Sequence, residues 1–114
     1  MNLANLTLLR DTLNALPPTI YFDMHAAHQK HPCGTAACVA GVCYTIQYPS
    51  QDGQWVSWGH VRNRALDWLD LPQNEKNWGI GHPLFDFDLA PPSCTPQQAA
   101  IAVTRVMEGL SPWN

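Results

Sequence analysis

The residues best suited to chemistry crowd into one stretch of the chain. Cys33-Gly34-Thr35 stands ahead of a small, apolar run, Ala36-Ala37-Cys38-Val39-Ala40-Gly41-Val42-Cys43. If a helix starts there, the Cys33 thiol feels the positive end of its dipole, which lowers the thiol pKa and yields more thiolate. Cysteine nucleophiles use such positions, with an imidazole as base. His25, His28, His31, His60 and His82 are the imidazoles on offer, and in an enzyme we pair Cys33 with His82. The alternative is structural: Gly34 permits a tight turn and Cys33 packs against the loop.

Metal binding is the second chemistry. His25, His28, His31 and Cys33 place four possible ligands within nine residues. Zinc takes imidazole and thiolate in a tetrahedron. Structural zinc sites draw paired ligands from two separated elements, so Cys38 or Cys94 would have to fold back. A histidine-bearing polar loop is otherwise simply solvated. We therefore expect no cofactor, with zinc as the exception. The four cysteines could pair Cys33 with Cys38, or Cys94 with another, in an oxidising compartment. Cys38 and Cys43 read as reduced core residues.

Five tryptophans are many for 114 residues. Trp68 fits a helix core face, while Trp55, Trp58, Trp78 and Trp113 fall in or near loops and ends. Trp is over-represented among interface anchors. Trp55 and Trp78, with the acidic Asp86 and Asp88, are the candidate protein-binding residues. Arg62, Arg64 and His82 are the groups a small-ligand pocket would draw on.

The elements that must position these residues are mostly helical. Leu3, Leu6, Leu9, Leu13 and Leu16 form one apolar face over residues 2–16, ended by Pro17-Pro18. Residues 19–24 read as an extended connector tucking in Ile20, Phe22 and Met24. Residues 25–32 read as a polar loop. The run from Ala36 is apolar all round and so predicts a buried central helix, capped by Thr35. Asp52-Gly53 could close a hairpin between Ile46/Tyr48 and Trp55/Val56. Ser57 caps a helix over about 58–70, with Trp58, Val61, Ala65, Trp68 and Leu69 on one face. Residues 73–78 could add a turn. The stretch 82–88 reads as irregular, anchored by Leu84, Phe85 and Phe87. Thr95-Pro96-Gln97-Gln98 combines an N-cap, a first-turn Pro and a capping-box Gln. Ala99, Ala102, Val103, Val106 and Leu110 then form a stripe.

Only 13% of residues are charged and the net charge is −3. Without a basic patch, binding to a phosphate backbone has no electrostatic footing, so nucleic-acid partners are excluded. No apolar run approaches the ~18 residues of a membrane helix. The leucines near the N-terminus lack a basic region before them, against a signal peptide. The expectation is a cytoplasmic protein without membrane attachment. Much of the low charge is local, since Cys33 to Tyr48 contains no Lys, Arg, Asp or Glu.

Several segments together resemble a known family. They are Phe22-Asp23-Met24, Cys33-Gly34-Thr35-Ala36-Ala37-Cys38-Val39-Ala40-Gly41, residues 65–71, Leu84-Phe85 and residues 95–100. In this order they are similar to small bacterial and bacteriophage proteins sharing a Cys-Gly-Thr-x-x-Cys-x-x-Gly core. The resemblance carries no catalytic role. It implies a phage-encoded accessory protein acting in the host cytoplasm. The segments 25–31 and 79–82 lie outside the shared pattern.

These readings predict a mainly α protein, one globular domain over 1–114. About four helices surround a central apolar helix, with long loops and at most one short β-hairpin. The leading expectation for function is a non-enzymatic protein-interaction module that inhibits a bacterial defence system or host enzyme. The alternatives are a small cysteine- or zinc-dependent enzyme using Cys33 and a small-ligand-sequestering protein. Oligomeric state is left open.

Overall fold

The structure, a computed structural model, describes residues 1–73 and 79–113. Among these the order is α1 (Leu3–Asn14), β1 (Ile20–Phe22), β2 (His28–His31), β3 (Gly34–Ala37), α2 (Val39–Gln47), α3 (Trp58–Leu69) and α4 (Pro96–Met107). Single 3-10 turns lie at Pro49–Gln51 and Pro83–Phe85. Helices supply most of the ordered backbone, as expected, but a three-stranded sheet joins them and the protein is not purely helical.

The helices form where periodicity and caps agree. In α1, Leu6, Leu9 and Leu13 are buried at spacings of three and four, and the Asn2 side chain accepts the Asn5 N–H at 3.0 Å. Leu3, expected on that face, is instead exposed. The start of α4 carries the full capping box: Thr95 Oγ1 accepts from the Gln98 backbone and Gln98 Oε1 accepts from the Thr95 backbone. Helix α1 packs most extensively on α4, and α2 on α3. Every residue of α2 from Val39 to Tyr44 is buried, so this short helix is the apolar centre.

The charge-free stretch is where expectation and structure part. It does not form one helix from Ala36. Residues 34–37 form β3, and α2 begins only at Val39 with Cys38 as its N-cap. Strand β3 lies between β1, to which it is parallel, and β2, to which it is antiparallel. Thr35 is thus a buried strand residue and not a helix cap. Its hydroxyl donates to Asp52 Oδ1 and accepts the Gly53 N–H at 2.7 Å, tying the loop after α2 to the sheet.

The hairpin is also elsewhere. Ile46 belongs to α2 and Pro49–Gln51 to a 3-10 turn, so no strand is left to pair with Trp55 and Val56. The observed hairpin joins β2 to β3 through Pro32 and Cys33, with His31 opposite Gly34. Gly34 has φ +140, and a Cβ there would lie 2.5 Å from the Thr19 carbonyl oxygen. Leu84 and Phe85 are buried anchors as expected, whereas Phe87 is 40% exposed. The turn expected over 73–78 lies, from Asn74 on, outside the described residues.

Candidate functional site

A cleft of about 320 Å³ opens beside the N-terminal end of α2. It is assembled because the segment 23–27 folds across that helix start. The Asp23 N–H donates to Ala37 O at 2.9 Å, and the Cys38 N–H donates to Ala26 O at 2.7 Å. Met24, Ala26 and Cys38 are buried and form the base of the cleft. Trp58 and Ile80, half-buried, and Phe87, exposed, form its sides.

The walls are held in place. The Trp58 indole N–H donates to Gly79 O, and its ring meets Phe85 edge-on at a 6.2 Å centroid distance. His25 leans on Phe87 with ring centroids 4.7 Å apart, while its backbone N–H donates to Asp23 Oδ1 at 2.9 Å. A second hollow of about 310 Å³ adjoins the first and shares Met24, His25 and Phe87 with it. Its remaining lining includes Tyr21, Asp23, the pair Pro91 and Pro92, and Cys94.

The cleft has the volume of a small-ligand or side-chain pocket, which runs from about 300 Å³ upward. Among the described residues its only thiol is Cys38. Burial pushes that thiol up to about 11, so it is protonated and acts as a small apolar surface. Burial raises the Cys94 thiol as well. The arrangement suits an apolar guest, and among the described residues its thiol is not an activated nucleophile.

Cys33 is not at a helix start, so no helix dipole acts on it. It sits exposed in the β2–β3 turn because the apolar run begins with a strand. Its imidazole neighbour is His31, not His82. His31 Nδ1 lies 3.1 Å from Cys33 Sγ and accepts the Cys33 backbone N–H at 3.3 Å, and the His31 ring stacks on Tyr21 at 4.4 Å. His82 lies on the 3-10 turn at Pro83–Phe85, where its Nδ1 accepts the Leu84 N–H at 3.1 Å. There it lines a separate hollow with Leu71 and Val106. Burial lowers its pKa.

Of the four residues offered as metal ligands, the structure brings together only His31 and Cys33. His28 and His31 are three apart on one strand, and strand side chains alternate, so the two rings leave opposite faces. His28 is buried, with Nδ1 2.7 Å from Gln54 O, whereas His31 is half-exposed. His25 is exposed beside Asp23 and Phe87. Among the described residues no three His, Cys, Asp or Glu side chains form a metal-holding group. All four cysteines are unpaired thiols.

Of the candidate binding residues, Asp86 and Asp88 adjoin Phe87 in the chain but line neither hollow, with Asp86 Oδ1 accepting the Asp88 N–H at 2.9 Å. Trp55 is 74% exposed but does not line the cleft. Its position is set by His28, which is bonded to Gln54 O and whose own carbonyl accepts the Val56 N–H at 2.9 Å. Trp78 lies outside the described residues. Arg62 and Arg64 do not line either hollow.

Met24, His25, Cys38, Trp58, Ile80 and Phe87 were not read together from the sequence. They come from distant segments, and the only shared signal is the surplus of aromatic side chains in loops. No helix among the described residues is long and apolar enough to cross a membrane. Compared with known proteins, the chain matches no family model, no curated protein and no solved structure.

Proposed function

We propose that the chain is a non-enzymatic protein-interaction module that receives an apolar side chain of a partner in the cleft between Trp58 and Phe87. The observation that carries this reading is the cleft itself. It is about 320 Å³, apolar at its base and aromatic at its sides, with a protonated thiol in place of an activated one. Interfaces concentrate binding energy in such anchor pockets, and aromatic walls supply contact area at little entropic cost. If the chain is phage-encoded, inhibition of a bacterial defence system or host enzyme is the role such a module would serve.

Selection from a library of displayed random peptides tests the reading. Selected peptides are expected to carry one large aliphatic or aromatic residue and to lose affinity for the Ile80→Ser and Phe87→Ala variants. The same peptides should retain affinity for an Ile101→Ala control on α4, outside the cleft. Peptides that bind all variants equally, or that carry no apolar anchor, would overturn it.

A further inference from the structure

The second hollow specifies the chemistry of the partner. Resting on the docking reading above, we infer that the partner segment carries a Lys or Arg beside its apolar anchor, and that Asp23 receives it. The two hollows share Met24, His25 and Phe87 and so form one groove with an apolar well and a polar one. Asp23 belongs to the polar well, and its side chain is 40% exposed. One of its carboxylate oxygens accepts the His25 N–H, which fixes the group in place.

Asp86 and Asp88 are the chain neighbours of Phe87, the side chain common to both wells, and add two carboxylates near the groove without lining either well. Among the described residues none of these three carboxylates is paired with a Lys or Arg; the one cation-capable neighbour is His25 Nδ1, 3.7 Å from Asp23 Oδ1. The other described acid–base pairs, Met1 with Asp70 and Arg10 with Asp11, lie elsewhere. Pro91 and Pro92 wall the polar well without contributing a backbone N–H donor. Among the described residues the groove therefore presents an apolar socket next to a carboxylate, Asp23, that no Lys or Arg neutralises, in a chain whose net charge is −3. Complementary charge at such a rim selects partners and speeds encounter. An acidic segment would meet like charge along the same path.

Three pools of fluorescein-labelled hexapeptides test the inference against the folded full chain. Each fixes a central Phe or Leu; the flanking residues are Lys in one pool, Ala in the second and Glu in the third. Fluorescence anisotropy is expected to show the Lys pool binding about tenfold tighter than the Ala pool and the Glu pool weakest. Asp23→Asn keeps the oxygen that accepts the His25 N–H, so the fold is retained. Combined with Asp86→Asn, it should bring the Lys pool down to the Ala pool, as should about 0.5 M salt. Equal binding of the Lys and Ala pools, or tighter binding of the Glu pool, would overturn the inference and leave the docking reading standing. If no pool binds, or Phe87→Ala changes none of the affinities, the docking reading falls and the inference with it.

Discussion

The carbonyl of Ala27 occupies the space that a side chain on Gly41 would need. A Cβ on Gly41 would lie 1.9 Å from the Ala27 oxygen and 2.8 Å from the Ala37 Cβ. This close approach lets the segment 23–27 lie across α2 and makes the cleft. Gly41→Ala should therefore cost about 3 kcal/mol or more, since backbone cannot move aside as a flexible side chain can. Gly59 is the control, because its Cβ would meet only Arg62 Nη2 at 3.7 Å. Gly59→Ala should be stabilising by about 0.5–1 kcal/mol, through lost freedom in the unfolded chain. Urea denaturation of both variants reads the contrast, and a Gly41→Ala protein as stable as wild type would refute the close approach.

Thr35 ties the loop after α2 to the sheet. Its buried hydroxyl bridges Asp52 Oδ1 and the Gly53 N–H. Thr35→Val keeps the shape and removes both bonds, at an expected cost of about 1–3 kcal/mol. Thr35→Ser keeps the hydroxyl and should cost less. Chemical denaturation separates them, and a Thr35→Val protein as stable as wild type would show that the bridge contributes nothing.

What could be read in advance follows from how local the signals are. Thr95, Pro96 and Gln98 specify a helix start by contacts within four residues, and Leu6, Leu9 and Leu13 mark a face by spacing alone. Strand β3 defeats such reasoning. Gly34 to Ala37 is a four-residue small and apolar run, which periodicity cannot tell from the first turn of a buried helix. Its strand character comes from pairing with Ile20–Phe22 and His28–His31, and each pairing is non-local. The same displacement moved Cys33 from a helix start to a turn, so its neighbour is the His31 ring and not a helix N-terminus. The cleft was less legible still, because Met24, Cys38, Trp58 and Phe87 meet only through the tertiary fold.

Cys38 makes stability depend on alkaline pH. Its thiol is raised from the usual 9.0 to about 11, chiefly by burial, and burial raises Cys43 as well. Between these values the unfolded thiol releases a proton that the folded one keeps. The stabilisation is complete below pH 9.0 and is lost as pH rises toward about 11. The slope for one such thiol reaches about 1.4 kcal/mol per pH unit. Urea midpoints measured from about pH 8 to 10.5 should fall, and fall less steeply in Cys38→Ala. An unchanged slope in that variant would show that other groups carry the alkaline loss.

Trp55 should prove dispensable both for folding and for the groove. Its side chain is 74% exposed and lines neither hollow. Trp55→Ala is expected to change stability by no more than about 0.5 kcal/mol and to leave the affinity of groove-binding peptides unaltered. Anisotropy titration beside thermal unfolding checks both. A loss of peptide affinity without a loss of stability would extend the binding surface to this side of the sheet.

His82 gives the acid side of the pH profile. Its ring is partly buried, and burial lowers its pKa from 6.5. Nδ1 accepts the Leu84 N–H at 3.1 Å, so a proton on that nitrogen would remove the bond that starts the 3-10 turn carrying Leu84 and Phe85. Lowering a histidine pKa on folding means that the unfolded chain takes up the proton first. Stability is thus full above pH 6.5 and declines as pH falls below it. His82→Asn supplies an uncharged oxygen acceptor at nearly the same place. This variant should keep most of the stability at neutral pH and show a shallower decline from pH 6.5 downward. Thermal unfolding followed at acidic pH makes the comparison, and parallel curves for the two proteins would assign the acid sensitivity to other groups.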